Sequence, residues 1–154
     1  MKTRILAVSA LTLAFAAFAP PALAKAGKKA GTAVLVPAGD LKWTDVPDFP
    51  GVQMAALDGD PATGAGHFMI KLKDGFVAPL HHHSSDHFVT VVSGTLSLTV
   101  GGVETLLPAG SFFQFKGRKE HITKCVPGAD CVLSMDVRGK WDVVPEGAKP
   151  MAEK

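Results

Sequence analysis

The chain has 154 residues, 47% of them hydrophobic, and carries 16 basic against 14 acidic side chains. That length holds one domain of ordinary size and leaves no room for a second core. Its only basic runs, Lys25 to Lys29 and Lys116 to Lys119, are short, which argues against a nucleic-acid partner because such binding neutralises many phosphates at once.

Residues 1–24 have the three parts of a secretory signal: basic Lys2 and Arg4, an apolar run from Ile5 to Ala19, and small residues ending in Ala22-Leu23-Ala24. The run is shorter than the roughly 20 residues that span a bilayer, and helix-breaking Pro20 and Pro21 follow it. Cleavage after Ala24 is therefore expected, giving a periplasmic or secreted protein with no membrane attachment. Loss of Lys2 and Arg4 would leave the mature chain near neutral.

Residues 25–32 are rich in Lys, Gly and Ala and read as a disordered lead-in. The folded domain is expected over 33–145, with a loosely attached tail at 146–154. Short β-like runs punctuated by Gly, Pro and Asp fill the domain, and no helical period persists for three turns. The expected strands are Ala33 to Val36, Val52 to Leu57, His67 to Leu72, Phe88 to Val92, Thr95 to Val100, Val103 to Leu107, Phe112 to Phe115, Ile122 to Val126 and Val132 to Val137. Ser93-Gly94 and Gly101-Gly102 read as tight turns that make their flanking strands antiparallel neighbours. An all-β chain of this size must protect its sheet edges, and a jelly roll or closed barrel does so while enclosing space for a ligand.

Cys125 and Cys131 flank a segment with a Pro-Gly turn signal, which places them across from one another on a hairpin. In an oxidising compartment they would form a disulfide contributing about 2 kcal/mol, and two buried free thiols are the alternative.

Histidines carry the chemistry. His81, His82, His83 and His87 cluster in one segment, and His121 follows later. On a strand His81 and His83 share a face while His82 points away, and His87 joins that face if the chain stays extended. His121 would enter from a neighbouring strand. Imidazole nitrogen suits iron, copper, nickel and zinc. Taken alone, a His-x-His pair is also compatible with a solvated loop.

The flanks sharpen this reading. Gly75, five residues, His81-x-His83, three residues, His87, six residues and Gly94 together resemble the first motif of the cupin superfamily, G-x5-H-x-H-x3,4-E-x6-G. Gly102, five residues and Pro108-Ala109-Gly110 resemble the second, with His121 further from Gly110 than in the family, so that the intervening loop reads as an insertion. Leu57, Gly59, Asp60 and Pro61 are similar to the L-x-G-D-P stretch of small secreted cupins. The resemblance runs from about Val52 to Val137 and implies a single-domain cupin jelly-roll barrel. Within it, His81, His83 and His121 would bind one metal, and homodimers are implied by the resemblance alone.

The family glutamate is His87 here. It is expected as a fourth nitrogen ligand, the alternative being a contact to the other ligands or to substrate. Neighbouring Asp86 lies on the wrong face to replace it. A set without a carboxylate leaves a divalent ion its full charge, attracts anionic ligands, and favours Fe, Cu, Ni or Zn over Mn. Protonation of the imidazoles below about pH 6 would release the metal. Phe68, Met69, Phe76, Phe88, Phe112, Phe113, Phe115 and Met135 are mostly core, with a few lining a ligand site. Gln53, Lys71, Gln114 and Lys124 point outward by default. Two functions remain open: a mononuclear, oxygenase-like metal enzyme acting on a small organic substrate, and a non-catalytic periplasmic barrel that binds a metal or small ligand.

Overall fold

The computed structural model describes residues 32–146. The expected signal segment, the lead-in up to residue 31 and the tail from residue 147 lie outside the described residues.

The described residues form eleven strands, a 3-10 turn at Ala38–Asp40 and no α-helix. In chain order the strands are β1 (Thr44–Asp45), β2 (Val52–Gly59), β3 (Gly66–Leu72), β4 (Val77–His82), β5 (His87–Ser93), β6 (Thr95–Val100), β7 (Val103–Pro108), β8 (Phe112–Phe115), β9 (His121–Cys125), β10 (Cys131–Val137) and β11 (Val144–Pro145). They make a six-stranded sheet, β1-β2-β3-β10-β5-β8, and a five-stranded sheet, β11-β4-β9-β6-β7. All ladders are antiparallel.

Side-chain alternation explains why the sheets face one another. Along β10, Cys131, Leu133, Met135 and Val137 are buried while the residues between them are not, the signature of a sheet with one face on the core. Phe68, Ile70 and Leu72 of β3 and Val89 and Val91 of β5 join them, and Leu96 and Leu98 of β6 pack against them. The outward residues include Lys71, which lies 4.2 Å over the Trp43 ring, and Gln53, which donates to Asp45 at 2.9 Å.

Eight of the nine expected strands are present within a residue or two of their bounds, and three points differ. Ala33 to Val36 forms no strand. Val34 and Leu35 are 71% and 89% exposed, so β-branched character there has no partner to pair with. The strands β1, β4 and β11 were not among those expected: β1 and β11 are two residues each, and Pro79 interrupts the pattern of β4. Proline lacks the ladder N–H and is tolerated at a bulge, and the β4–β9 register shifts between Ala78 and His81.

The third difference concerns turns. Gly101-Gly102, with φ of 59° and 83°, joins β6 and β7 as a true hairpin whose last pair is Val100 with Val103. Ser93-Gly94 is not a hairpin: β5 lies in one sheet and β6 in the other. Gly94 has φ of 76°, and a Cβ there would sit 2.8 Å from the Asp130 carbonyl oxygen, so the sheet crossing requires glycine. The Cys125–Cys131 segment is likewise a crossing between sheets. The disulfide is formed, with Cα atoms 5.7 Å apart, and it staples β9 to β10 across the two layers.

Candidate metal centre

Four histidines meet at one end of the space between the sheets, and each is at most 5% exposed. His81 arrives on β4 beyond the bulge at Pro79 and is paired in register with His121, the first residue of β9. A bulge bends its strand and re-aims the side chains that follow. His83 lies just past β4, buried like His81, while His82 between them turns outward, with Nδ1 3.3 Å from Glu146. The alternation expected from the sequence is thus kept.

His87 reaches the site by another route. The chain bends at Ser84-Ser85, and His87 opens β5 in the opposite sheet. It faces the other imidazoles across the interior and does not share their strand face, since the bend ends the extended run. The long interval between Gly110 and His121 has a defined structure. It consists of β8, which pairs with β5 from His87 to Thr90, and a loop that delivers His121.

Every imidazole is held by the same device. The Nδ1 atoms of His81, His87 and His121 lie 2.7, 3.1 and 2.9 Å from the carbonyl oxygens of Pro79, Ser85 and Lys119, each two residues upstream. His83 Nδ1 bonds the Asp142 carbonyl oxygen. A carbonyl only accepts, so each Nδ1 carries the proton and each Nε2 keeps a lone pair. Fixing the tautomer this way is the usual support for a metal-ligating histidine.

The ligating atoms of His81, His83 and His121 all lie within 4.8 Å of one another, a spacing suited to one ion with metal–nitrogen bonds of roughly 2.1 Å. His87 stands beside His83, with ring centres 4.7 Å apart, and opposite His121 at 6.3 Å. The three-histidine cluster can bind a metal, and the all-nitrogen donor set fits a transition ion. Burial pushes all four imidazoles below their ordinary value of 6.5, His83 to about 2 and His121 to about 4. Neighbouring imidazoles add to the effect at His83 and His121. Neutral imidazole is the form that binds metal.

Aromatic rings wall the cluster. Trp141 stacks on His83 at 3.9 Å and meets His87 edge-on at 5.3 Å, and Phe115 stacks on His121 at 4.2 Å. Trp141 belongs to a strap, residues 138–146, that the sequence reading did not connect with the site. The strap runs beside the ligand segment: the Arg138 amide bonds the Asp86 carbonyl, Ser85 Oγ donates to the Lys140 carbonyl at 2.8 Å, and Ser84 N–H donates to Asp142 Oδ1 at 2.8 Å. β11 then pairs with His81 and His82, and Glu146 N–H reaches the Leu80 carbonyl. The tail is therefore anchored as far as Glu146. The Asp-Pro stretch after β2 also serves the strap, because the Pro61 carbonyl accepts the Trp141 amide at 2.8 Å. Asp86 accepts from the Gly117 amide at 2.7 Å and takes no place among the imidazoles.

A cavity of about 530 Å³ opens in front of the histidines. Phe76, Phe113 and Met135 line it, whereas Phe68 is fully buried core.

Residues 68–137 match the family described as "Cupin domain". A comparison with curated proteins finds no match. Among solved structures, the polyketide cyclase RemF from Streptomyces resistomycificus is similar at a TM-score of 0.64 and 18% identity, over 77% of this chain and 89% of that one. An RmlC-like cupin from Ralstonia eutropha JMP134 gives 0.62 and 21%, over 77% and 76%. A predicted oxalate decarboxylase from Thermotoga maritima gives 0.57 and 17%, over 68% and 97%. At these identities the likeness shows the fold alone. With its two facing antiparallel sheets, its inward histidines and this family match, the chain carries a cupin domain over residues 68–137.

Proposed function

We propose that this is an exported metalloprotein that holds one divalent transition metal through Nε2 of His81, His83, His87 and His121 and presents it to a small organic ligand. The observation that carries the reading is the repeated Nδ1-to-carbonyl bond, which prepares four buried imidazoles as neutral nitrogen donors. A solvated histidine-rich loop would have no reason to fix four tautomers alike. Iron, copper, nickel or zinc fit this donor set better than manganese, which suits carboxylate and water. The signal-like N-terminus and the Cys125–Cys131 disulfide support an oxidising, extracytoplasmic location.

A metal held here would polarise a ligand oxygen or, if redox-active, activate dioxygen. The chain's own residues orient the imidazoles, and Trp141 and Phe115 shield them from water. The favoured activity is an oxygenase-like reaction on a small organic substrate. The four nitrogen donors favour one second reading, a non-catalytic metal- or ligand-binding barrel, because they leave fewer open positions.

Elemental analysis of untagged mature protein, beside His87→Ala and His121→Ala, tests the site. We expect close to one equivalent of metal in the wild type, loss in His121→Ala, and affinity weakened by about tenfold to a hundredfold in His87→Ala. A wild type that retains no metal after reconstitution would overturn the reading.

A further inference from the structure

The cavity in front of the histidines has an uneven distribution of polarity. Beyond the four imidazoles, the lining side chains with polar groups are Thr123, Asp48, Lys140, Asp142 and, through its indole N–H, Trp141. Asp48 and Lys140 are exposed and so belong to the rim. Asp142 is engaged with the Ser84 amide. Thr123, two residues along β9 from His121, and the Trp141 indole, stacked on His83, remain to pair with a ligand, and both stand at the histidine end. The six-stranded sheet supplies an apolar wall that includes Met54, Ile70, Leu133 and Met135.

We propose that the cavity is built for a molecule with one oxyanion head, which the metal binds, and an apolar body carrying no further polar group. This rests on the metal centre proposed above. Four neutral donors leave the ion its full positive charge, so the head is anionic. Each extra hydroxyl or carboxylate along the body, set against the apolar wall and away from Thr123 and Trp141, would lose its water without gaining a partner and weaken binding by roughly tenfold or more. Sugars, polyols and short dicarboxylates are thereby disfavoured. The volume of about 530 Å³ lies in the range of sites for small organic ligands.

Calorimetric titration of zinc-loaded protein with 2-oxo acids sharing one head tests this: pyruvate, 4-phenyl-2-oxobutanoate and 2-oxoglutarate. The phenyl compound should bind at least roughly thirtyfold more tightly than pyruvate through burial of its ring, and 2-oxoglutarate no more tightly than pyruvate. Met54→Gln alters a half-buried part of the wall and should lower the ratio of the phenyl compound's affinity to that of pyruvate. Zinc content is measured on each sample. Equal affinities for the three acids, or preference for 2-oxoglutarate, in protein that holds zinc would overturn the assignment of the cavity and leave the metal site standing. A wild type that holds no zinc would overturn both.

Discussion

His83 shows how much of the centre is set by contacts to single atoms. Its Nδ1 is fixed by the Asp142 carbonyl, its face is covered by Trp141, and burial holds its pKa down to about 2. His121, with Phe115 on its face, is lowered to about 4. The release of metal expected below about pH 6 from the ordinary imidazole value therefore moves to lower pH, because protons compete poorly for these two nitrogens. In protein stripped of metal the same shifts govern stability. An unfolded histidine titrates near 6.5, so between 6.5 and about 4 the unfolded chain binds more protons than the folded one. The stability present above pH 6.5 is then lost as pH falls through that window, and His83 extends the loss towards pH 2. Thermal melts of chelator-treated protein should show a lower Tm at pH 5 than at pH 7.5. Equal values would mean that the imidazoles are not held neutral by the fold.

Among the elements, the strap over 138–146 has the largest consequence for the site. It carries no periodic pattern, and its importance lies in what it packs against. Gly139 approaches Ser85 so closely that a Cβ would sit 2.6 Å from Ser85 Oγ, and Asp142 ties down Ser84 from its side chain and His83 from its backbone. Asp142→Ala removes the first bond and loosens the second. We expect metal affinity to fall by about tenfold with little change in far-ultraviolet circular dichroism. Unchanged affinity would show that the strap lies over the centre without supporting it.

The strap also marks what the sequence could and could not reveal. Alternation placed His81 and His83 together and His82 outside, because strand geometry is local. The loose resemblance to the family's second motif brought in His121, although its distance from Gly110 departs from that pattern. The role of Trp141 depends on a contact between distant segments, and no local signal announces it. Turn chemistry was legible only in part: Gly94 and the Pro-Gly turn correctly announced reversals, but whether a reversal returns to its own sheet or crosses to the other depends on packing. The same gap separated the expected hairpin disulfide from the observed staple between sheets.

At the scale of the whole molecule, the two sheets make a rigid frame that brings imidazoles from both layers to one point. Three come through β4, the residue following it, and β9 of the five-stranded sheet, and His87 comes through β5 of the other. A metal held between them would tie the layers together at this end, as the Cys125–Cys131 bond does between β9 and β10. Binding to the folded state alone would raise thermal stability by mass action. The most direct test is X-ray absorption on the zinc-loaded protein and on His87→Ala. A four-histidine centre gives nitrogen scatterers near 2.0–2.1 Å with the multiple-scattering signature of four imidazoles in the wild type and three in the variant. An imidazole count that is the same in both proteins, or a first shell dominated by oxygen or sulfur, would contradict it.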